Sequence, residues 1–421
     1  MTAGGQAGGD ARAKWHARLL ARLQERRESG LYRELRKVES ASGPRVWIDG
    51  NGAGREYLQF CTNNYLGLAA DPEVVEAGRE ALAKYGAGAG ASRLVAGSMT
   101  LHHELEEALA RFKGTERALL FPTGFMANLA VLTTFAGEGD LIVSDKLNHA
   151  SLLDAAKFSG AVARTFPHRR YERAEELLTK TRRHEAPPRT KDHEGEEEFD
   201  SVKFLVTDSV FSMDGDVADL REVCAVARRA GAMVIVDEAH GTGVLGERGG
   251  GLAELQGVEG EMDVTVGTLS KALGSVGGFV CGSGAVIETL INAARSFIYT
   301  TALPPACAAS ALAALRIVQR EPQRRERVMG LAGAVKRALL EMGFDCGDSA
   351  SPIIPVILGE PEAALKAAAF LRERGIWVPA IRPPTVARGT ARLRISLMAT
   401  HSDEDVEQLL VAMRDLRKIF A

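Results

Sequence analysis

Between about residues 118 and 283 short apolar runs recur along the chain: Ala118–Phe121, Leu141–Ser144, Phe204–Thr207, Met233–Val236, Val264–Thr268 and Gly278–Cys281. Helical segments such as Ala218–Ala230 stand between several of them. This alternation predicts an α/β sheet that is largely parallel, with the helices as right-handed crossovers. Ligands on such a sheet lie at the carboxyl ends of the strands. A chain of 421 residues has room for two or three domains. Its 46% hydrophobic and 25% charged residues exclude disordered, collagenous and disulfide-scaffold classes. The net charge of −3 provides no long-range field for a polyanion, so nucleic acid is not expected as a partner and any anion site must be local. Glycines 86, 88, 90 and 249–251 cluster where backbone could approach a ligand.

The 5 cysteines form no Cys-x-x-Cys pair and are odd in number, which predicts a reduced, cytoplasmic chain with no zinc site and no other metal. No apolar signal segment opens the chain, and the acids Glu25, Glu28 and Glu34 argue against a transit peptide. Ser296–Leu315 is uncharged but contains Pro304-Pro305, and reads as a buried loop leading into a helix, with no membrane span. Residues 1–60 are expected to form an N-terminal arm, helical over 13–37; 61–305 a large domain; and 306–421 a small α+β domain with its connecting helix. In the small domain we expect strands at 351–358, 376–380 and 391–399 and helices at 362–374 and 402–418, the last capped by Ser402. Arg182–Asp200, with three consecutive glutamates, is expected as a solvated loop.

Two familiar strings lead nowhere. Gly241-Thr-Gly-Val-Leu-Gly246 fits a dinucleotide fingerprint but runs into more glycines instead of the helix that would receive a pyrophosphate. Asp237-Glu-Ala-His240 spells a helicase-type acidic box, yet the chain has no phosphate loop, since no lysine follows a glycine. What remains is a set of groups at strand ends. Lys271 follows an apolar strand and precedes a Gly-rich turn, where partial desolvation favours its neutral, nucleophilic amine. Asp237 ends another buried strand and needs a cation or donors as partner; a protonated pyridine nitrogen would serve. Gly124-Phe125 opens a helix whose free amides suit a phosphate. His149, Ser212 and His240 follow other strands. Each has an ordinary structural reading by itself, a turn cap or a surface side chain. Together they are the groups pyridoxal 5'-phosphate (PLP) requires.

The segments Asn63-Asn-Tyr-Leu-Gly-Leu68, Gly90-Ala-Ser-Arg93, Thr123-Gly-Phe-Met-Ala-Asn128, His149-Ala-Ser-Leu152, Asp237-Glu-Ala-His-Gly-Thr-Gly243 and Thr268-Leu-Ser-Lys-Ala-Leu-Gly274 resemble the α-oxoamine synthase family. The resemblance implies the aspartate-aminotransferase-like fold of PLP enzymes (fold type I), with a large seven-stranded sheet domain and a small C-terminal domain, assembled as a homodimer. Ala380-Ile-Arg-Pro-Pro-Thr-Val386 and Gly389–Arg394 resemble the branch that condenses L-alanine with pimeloyl-CoA or pimeloyl-acyl carrier protein. Ala387-Arg388 stands where that branch commonly has a proline.

By resemblance, the catalytic residues are Lys271, which would bind the cofactor aldehyde, Asp237, the pyridinium partner, and His149, the ring-stacking residue. Gly124, Phe125, Ser212, His240 and Thr268 would also hold the cofactor. Arg33, Asn63, His149, Thr385 and Arg394 would meet substrate. Arg36 and Lys37 would draw the anionic carrier to the entrance. Sister synthases using glycine with acetyl- or succinyl-CoA, an aminotransferase and a non-catalytic binding module are the alternatives.

Overall fold

A computed structural model describes residues 4–49, 54–180 and 201–419. The acidic stretch 182–200 therefore lies outside the described residues. The described residues begin with a helix, Gly4–Glu28. Strands β1 (Lys37–Val38), β2 (Arg45–Asp49) and β3 (Arg55–Gln59) follow as an antiparallel set. On sequence alone these residues belong to an arm; instead they form a sheet that ends on a strand from the far end of the chain.

The central sheet consists of β4 (Arg117–Phe121), β5 (Leu141–Asp145), β6 (Val162–Phe166), β7 (Lys203–Asp208), β8 (Met233–Asp237), β9 (Val264–Thr268) and β10 (Gly278–Gly282). Their order is β4-β10-β9-β8-β7-β5-β6. From β9 to β6 all neighbours are parallel. Only β10 runs the other way, antiparallel to both β9 and β4. Successive strand residues point to opposite faces, and both faces are covered. Leu119, Ile142, Val206, Ile235, Val266 and Val280 enter one core. Leu120, Val143, Leu205, Val234, Val236 and Phe279 enter the other. That double burial is why these strands read as unbroken apolar runs. Completely burying Ile235, at 0% exposure, contributes about 1.5–3 kcal/mol.

Two glycines permit the close approaches near the site. A Cβ on Gly278 would lie 2.6 Å from the backbone of Gly124, so only glycine lets the helix Gly124–Phe135 begin directly over β10. A Cβ on Gly267 would meet the ring of its cross-strand partner Phe279 at 2.2 Å. The two glycine clusters have different surroundings. Nothing lies within 4 Å of a Cβ on Gly86, Gly88 or Gly90, whereas Gly250 and Gly251 are crowded by the carboxylates of Glu254 and Glu238.

The C-terminal part contains β11 (Ile353–Gly359), β12 (Ile376–Trp377), β13 (Ala380–Ile381) and β14 (Ala391–Ser396). Strands β11, β14 and β13 form an antiparallel sheet, while β12 pairs in parallel with β3. The last helix, Asp403–Ile419, carries a reciprocal cap: the Asp405 amide donates to Ser402 Oγ and the Ser402 amide to Asp405 Oδ2, both at 3.1 Å. The uncharged segment expected as a loop leading into a helix starts in the short helix Arg295–Ile298, passes through an irregular stretch and enters the helix Pro305–Arg320. Among the described residues no helix is long and apolar enough to cross a membrane.

Candidate active site

The parallel strands deliver Asp145, Asp208, Asp237 and Thr268 at their carboxyl ends, and the turns after them carry His149, Ser212, His240 and Lys271. Carboxylates at the ends of apolar strands are costly unless bonded. The Asp237 carboxylate is bonded on both oxygens: Oδ2 accepts from Asn128 Nδ2 at 2.7 Å and Oδ1 from the Ala239 amide at 2.8 Å. The same Asn128 amide donates to Ser151 Oγ at 2.9 Å. Ser151 Oγ in turn lies 2.7 Å from His149 Nδ1, which also accepts the Ser151 amide and so caps the helix Ala150–Phe158. The His149 amide donates to Asp208 Oδ2. One network thus fixes the carboxylate, the imidazole and the helix between them.

Burial favours neutral forms throughout this network. It pushes the His149 imidazole down, with Asp237 opposing and Lys271 assisting. It pushes the Lys271 ammonium down as well, against the pull of Asp237 and Asp208. Burial, then the Asp237 charge, raises Asp208 well above the carboxylate range. His240 is driven far below the usual histidine range by burial, then by the charges of Lys271 and Arg394. Its Nδ1 shares a 2.7 Å hydrogen bond with the Tyr65 hydroxyl, which donates to Asn63 Oδ1 at 3.2 Å. Arg394 is held at three points: Nε donates to the Ser212 carbonyl (2.6 Å), Nη1 to Ser396 Oγ (2.7 Å) and Nη2 to Asn63 Oδ1 (3.1 Å).

Whether PLP fits here can be judged from these groups. A desolvated amine suits its aldehyde, and a fixed carboxylate suits its ring nitrogen. A flat neutral imidazole suits its ring face. The first amides of a helix have no intrahelical acceptor, which leaves those of Gly124 and Phe125 for a phosphate. The Thr123 hydroxyl already takes the Met126 amide, and Thr268 Oγ1 donates to the Gly277 carbonyl beside that turn. Among the described residues, buried Asp208 Oδ1, Ser209 Oγ and Asn128 Oδ1 have no hydrogen-bond partner. The residues fit the cofactor.

A second group forms away from the central sheet. Arg33 Nη2 donates to Thr385 Oγ1 at 3.2 Å, joining the two expected substrate residues. Leu31, Arg33, Ala380, Ile381, Arg382, Pro383 and Thr385 line a cavity of about 70 Å³. Arg382 donates to the carbonyls of Gly30 and Tyr32 and so ties this loop to the arm. Arg36 and Lys37, expected to attract an anionic carrier, are offset by Glu34 and Glu39. Asn128, Ser151, Tyr65 and Asp208 were not singled out as site residues. Asn128 had a legible signal, a lone amide in the apolar stretch Phe125–Leu132.

With this geometry the chain can be set beside known proteins. It belongs to the aminotransferase class I and II family, which residues 55–413 match. Its relatives narrow this. It is 45% identical to the 8-amino-7-oxononanoate synthase of Hahella chejuensis, over 96% of this chain and 97% of that protein. With the enzyme of the same name from Stutzerimonas stutzeri the identity is 47%, over 94% and 96%. Among solved structures, a serine palmitoyltransferase from S. paucimobilis with a bound PLP–myriocin aldimine matches with a TM-score of 0.85 at 35% identity, covering 96% of this chain and 97% of that one.

Proposed function

We propose that this chain is a PLP-dependent acyltransferase that condenses L-alanine with a pimeloyl thioester, on CoA or acyl carrier protein, to give 8-amino-7-oxononanoate, CO2 and free thiol in biotin biosynthesis. The observation that carries this reading is the 45% and 47% identity to synthases of that name, spread over at least 94% of the chain. When bound, PLP supplies an electron sink for charge developing at the amino-acid Cα. Asp237 would keep a proton on the ring nitrogen, and Asn128 and the Ala239 amide hold Asp237 in place for it. Lys271, its ammonium form disfavoured by burial, takes the Cα proton on Nζ. His149 would cover the ring face, its imidazole held by Ser151 and its backbone by the Asp208 carboxyl. His240, Ser212 and Thr268 serve the ring and the phosphate side, with Gly124 and Phe125. Arg394 and Asn63 take the amino-acid carboxylate; Arg33 and Thr385 take the far end of the acyl chain.

The likeness to serine palmitoyltransferase favours a second reading, a sister synthase with another amino acid and acyl group. Alanine, glycine and serine should each be assayed against pimeloyl-, acetyl- and palmitoyl-CoA, following thiol release and the amino ketone. Alanine with the pimeloyl donor is expected to dominate. Preference for glycine with acetyl, or serine with palmitoyl, moves the assignment to a sister enzyme.

We further assemble the chain as a homodimer. Ser296–Pro305 supports this less than its composition suggests, because Phe297 and Leu303 are buried within the chain itself and Tyr299 is left out at 73% exposure. Leu94, Val95, Phe125 and Val276 are also exposed, and apolar surface of this kind favours a partner. Light scattering that gives a monomer active at assay concentration would refute the dimer. Cys61, Cys224, Cys281, Cys307 and Cys346 are free, which suits the reducing cytoplasm.

A further inference from the structure

His168 follows the edge strand β6, and its ring sits between two carboxylates from different parts of the sheet. Nδ1 lies 3.1 Å from both oxygens of Asp145, and Nε2 lies 2.7 Å from Asp216 Oδ2. The ring also stands edge-on to Phe211, with centroids 4.3 Å apart. A neutral imidazole has one N–H and serves one acceptor; only the imidazolium donates to both. Asp145 is the last residue of β5, and its Oδ1 accepts the Leu147 amide in the turn that delivers His149. Asp216 closes the turn after β7: its carbonyl accepts the Phe211 amide, and Ser212 lies between them. From the other side the same turn is gripped by β14, where Arg394 donates to the Ser212 carbonyl and Arg392 to the Met213 carbonyl and Asp214.

We propose that His168, as an imidazolium, is a positioning residue that ties the turn carrying His149 to the turn carrying Ser212, and through Ser212 sets the seat of Arg394. The geometry accounts for the choice of residue. A lysine would reach one carboxylate as a point charge, whereas an imidazolium spans two in opposite directions. Burial lowers the ring's proton affinity, but the hydrogen bonds to Asp145 and Asp216 outweigh it and raise the pKa to about 9. Among the described residues the charged groups facing this pair include Arg169, whose amide donates to Asp145 and whose guanidinium reaches Asp216 and Asp348, and Asp208, which the Asp145 charge helps to push up. Tyr171 follows, its phenol raised to about 12 by burial. With a folded value above the ordinary 6.5, the tie is complete below pH 6.5 and is lost as the pH rises through about 9.

The assignment of the amino-acid carboxylate to Arg394 rests on the proposed function; the ionic tie itself does not. Two measurements on the full-length holoenzyme separate them. Histidine side-chain NMR of 15N-labelled protein should show the His168 signal, identified by its loss in His168→Gln, as an imidazolium up to about pH 9; titration near 6.5 would overturn the tie. In His168→Gln, KM for alanine should rise about fivefold or more at pH 7.5, with KM for the acyl thioester unchanged. The parent is expected to show an alanine KM that rises with pH through about 9, and His168→Gln should lack that ionisation. An unchanged alanine KM would overturn the link to Arg394 while leaving the NMR result standing. Should His168→Gln not fold, Asp216→Asn, which removes one charge at constant shape, is read the same way. It should lower the histidine ionisation that lies near pH 9 in the parent and raise the alanine KM; failure of the first overturns the tie, and failure of the second overturns the link to Arg394.

Discussion

The end of the central sheet and the junction between arm and C-terminal loop are built on opposite principles. At the sheet end the buried Asp237, Asn128, Ser151 and Asp208 form one continuous network with the more open His149, each member fixed by another. At the junction Arg33 and Thr385, both exposed, meet through one 3.2 Å hydrogen bond, on a loop tied to the arm by Arg382. Buried polar groups are worth far more fixed than loose, since low dielectric strengthens each bond and penalises each orphan. Exposed groups adapt at little cost. The invariant chemistry of a reaction therefore suits the first region, and the choice of acyl chain suits the second.

Lys271→Ala should break the sheet-end region most severely. Turnover should fall by at least about a thousandfold, and borohydride should no longer attach cofactor to the protein. Lys113 is also buried, yet it is occupied by Thr242 Oγ1 and the Gly250 carbonyl; labelling there would contradict the assignment. Asp237→Asn comes next. The cofactor should stay bound, because the amide oxygen still accepts the Ala239 amide and its NH2 can donate to the unpaired Asn128 Oδ1 once Asn128 turns over, while kcat falls on the order of a hundredfold; near-normal kcat would remove Asp237 from the mechanism. Arg33→Ala tests the junction. KM for a pimeloyl thioester should rise about tenfold with kcat little changed, and the same variant should not discriminate against a donor whose distal carboxyl is esterified. If the ester loses as much as the acid, Arg33 acts by packing. Thr385→Val should do least, shifting KM by about twofold and stability by no more than about 0.5 kcal/mol, read from denaturant midpoints.

Every strand of the central sheet that is buried on both faces was legible in the sequence, because double burial demands apolar residues at consecutive positions. Strand β6 was not. It lies at the sheet edge, and Val162–Phe166 carries an exposed Arg164 and Thr165, so no apolar run marks it. The reversed direction of β10 was equally silent, since an antiparallel strand covered on both sides has the same composition as a parallel one. In the site, Lys271, Asp237 and His149 stood out as polar residues just after apolar runs. Tyr65 and Asp208 did not, because their roles depend on partners far away in sequence, such as His240 at 2.7 Å from the Tyr65 hydroxyl. Arg36 and Lys37 were legible as charges but not their pairing: Glu34 and Glu39 beside them weaken the field they provide, which leaves Arg33 the larger share of it.

The parallel pairing of β3 with β12 has a consequence for how the molecule is made. Synthesis runs from the N-terminus, and the strand Arg55–Gln59 leaves the ribosome long before its partner Ile376–Trp377. The central sheet uses only residues from 117 to 282 and can close while the rest is still being translated. The first sheet waits for almost the whole chain, with one edge open throughout, and its completion is a late step of high sequence separation. Nascent chains stalled before residue 376 should therefore present the β3 edge to chaperones, and those stalled well beyond it should not.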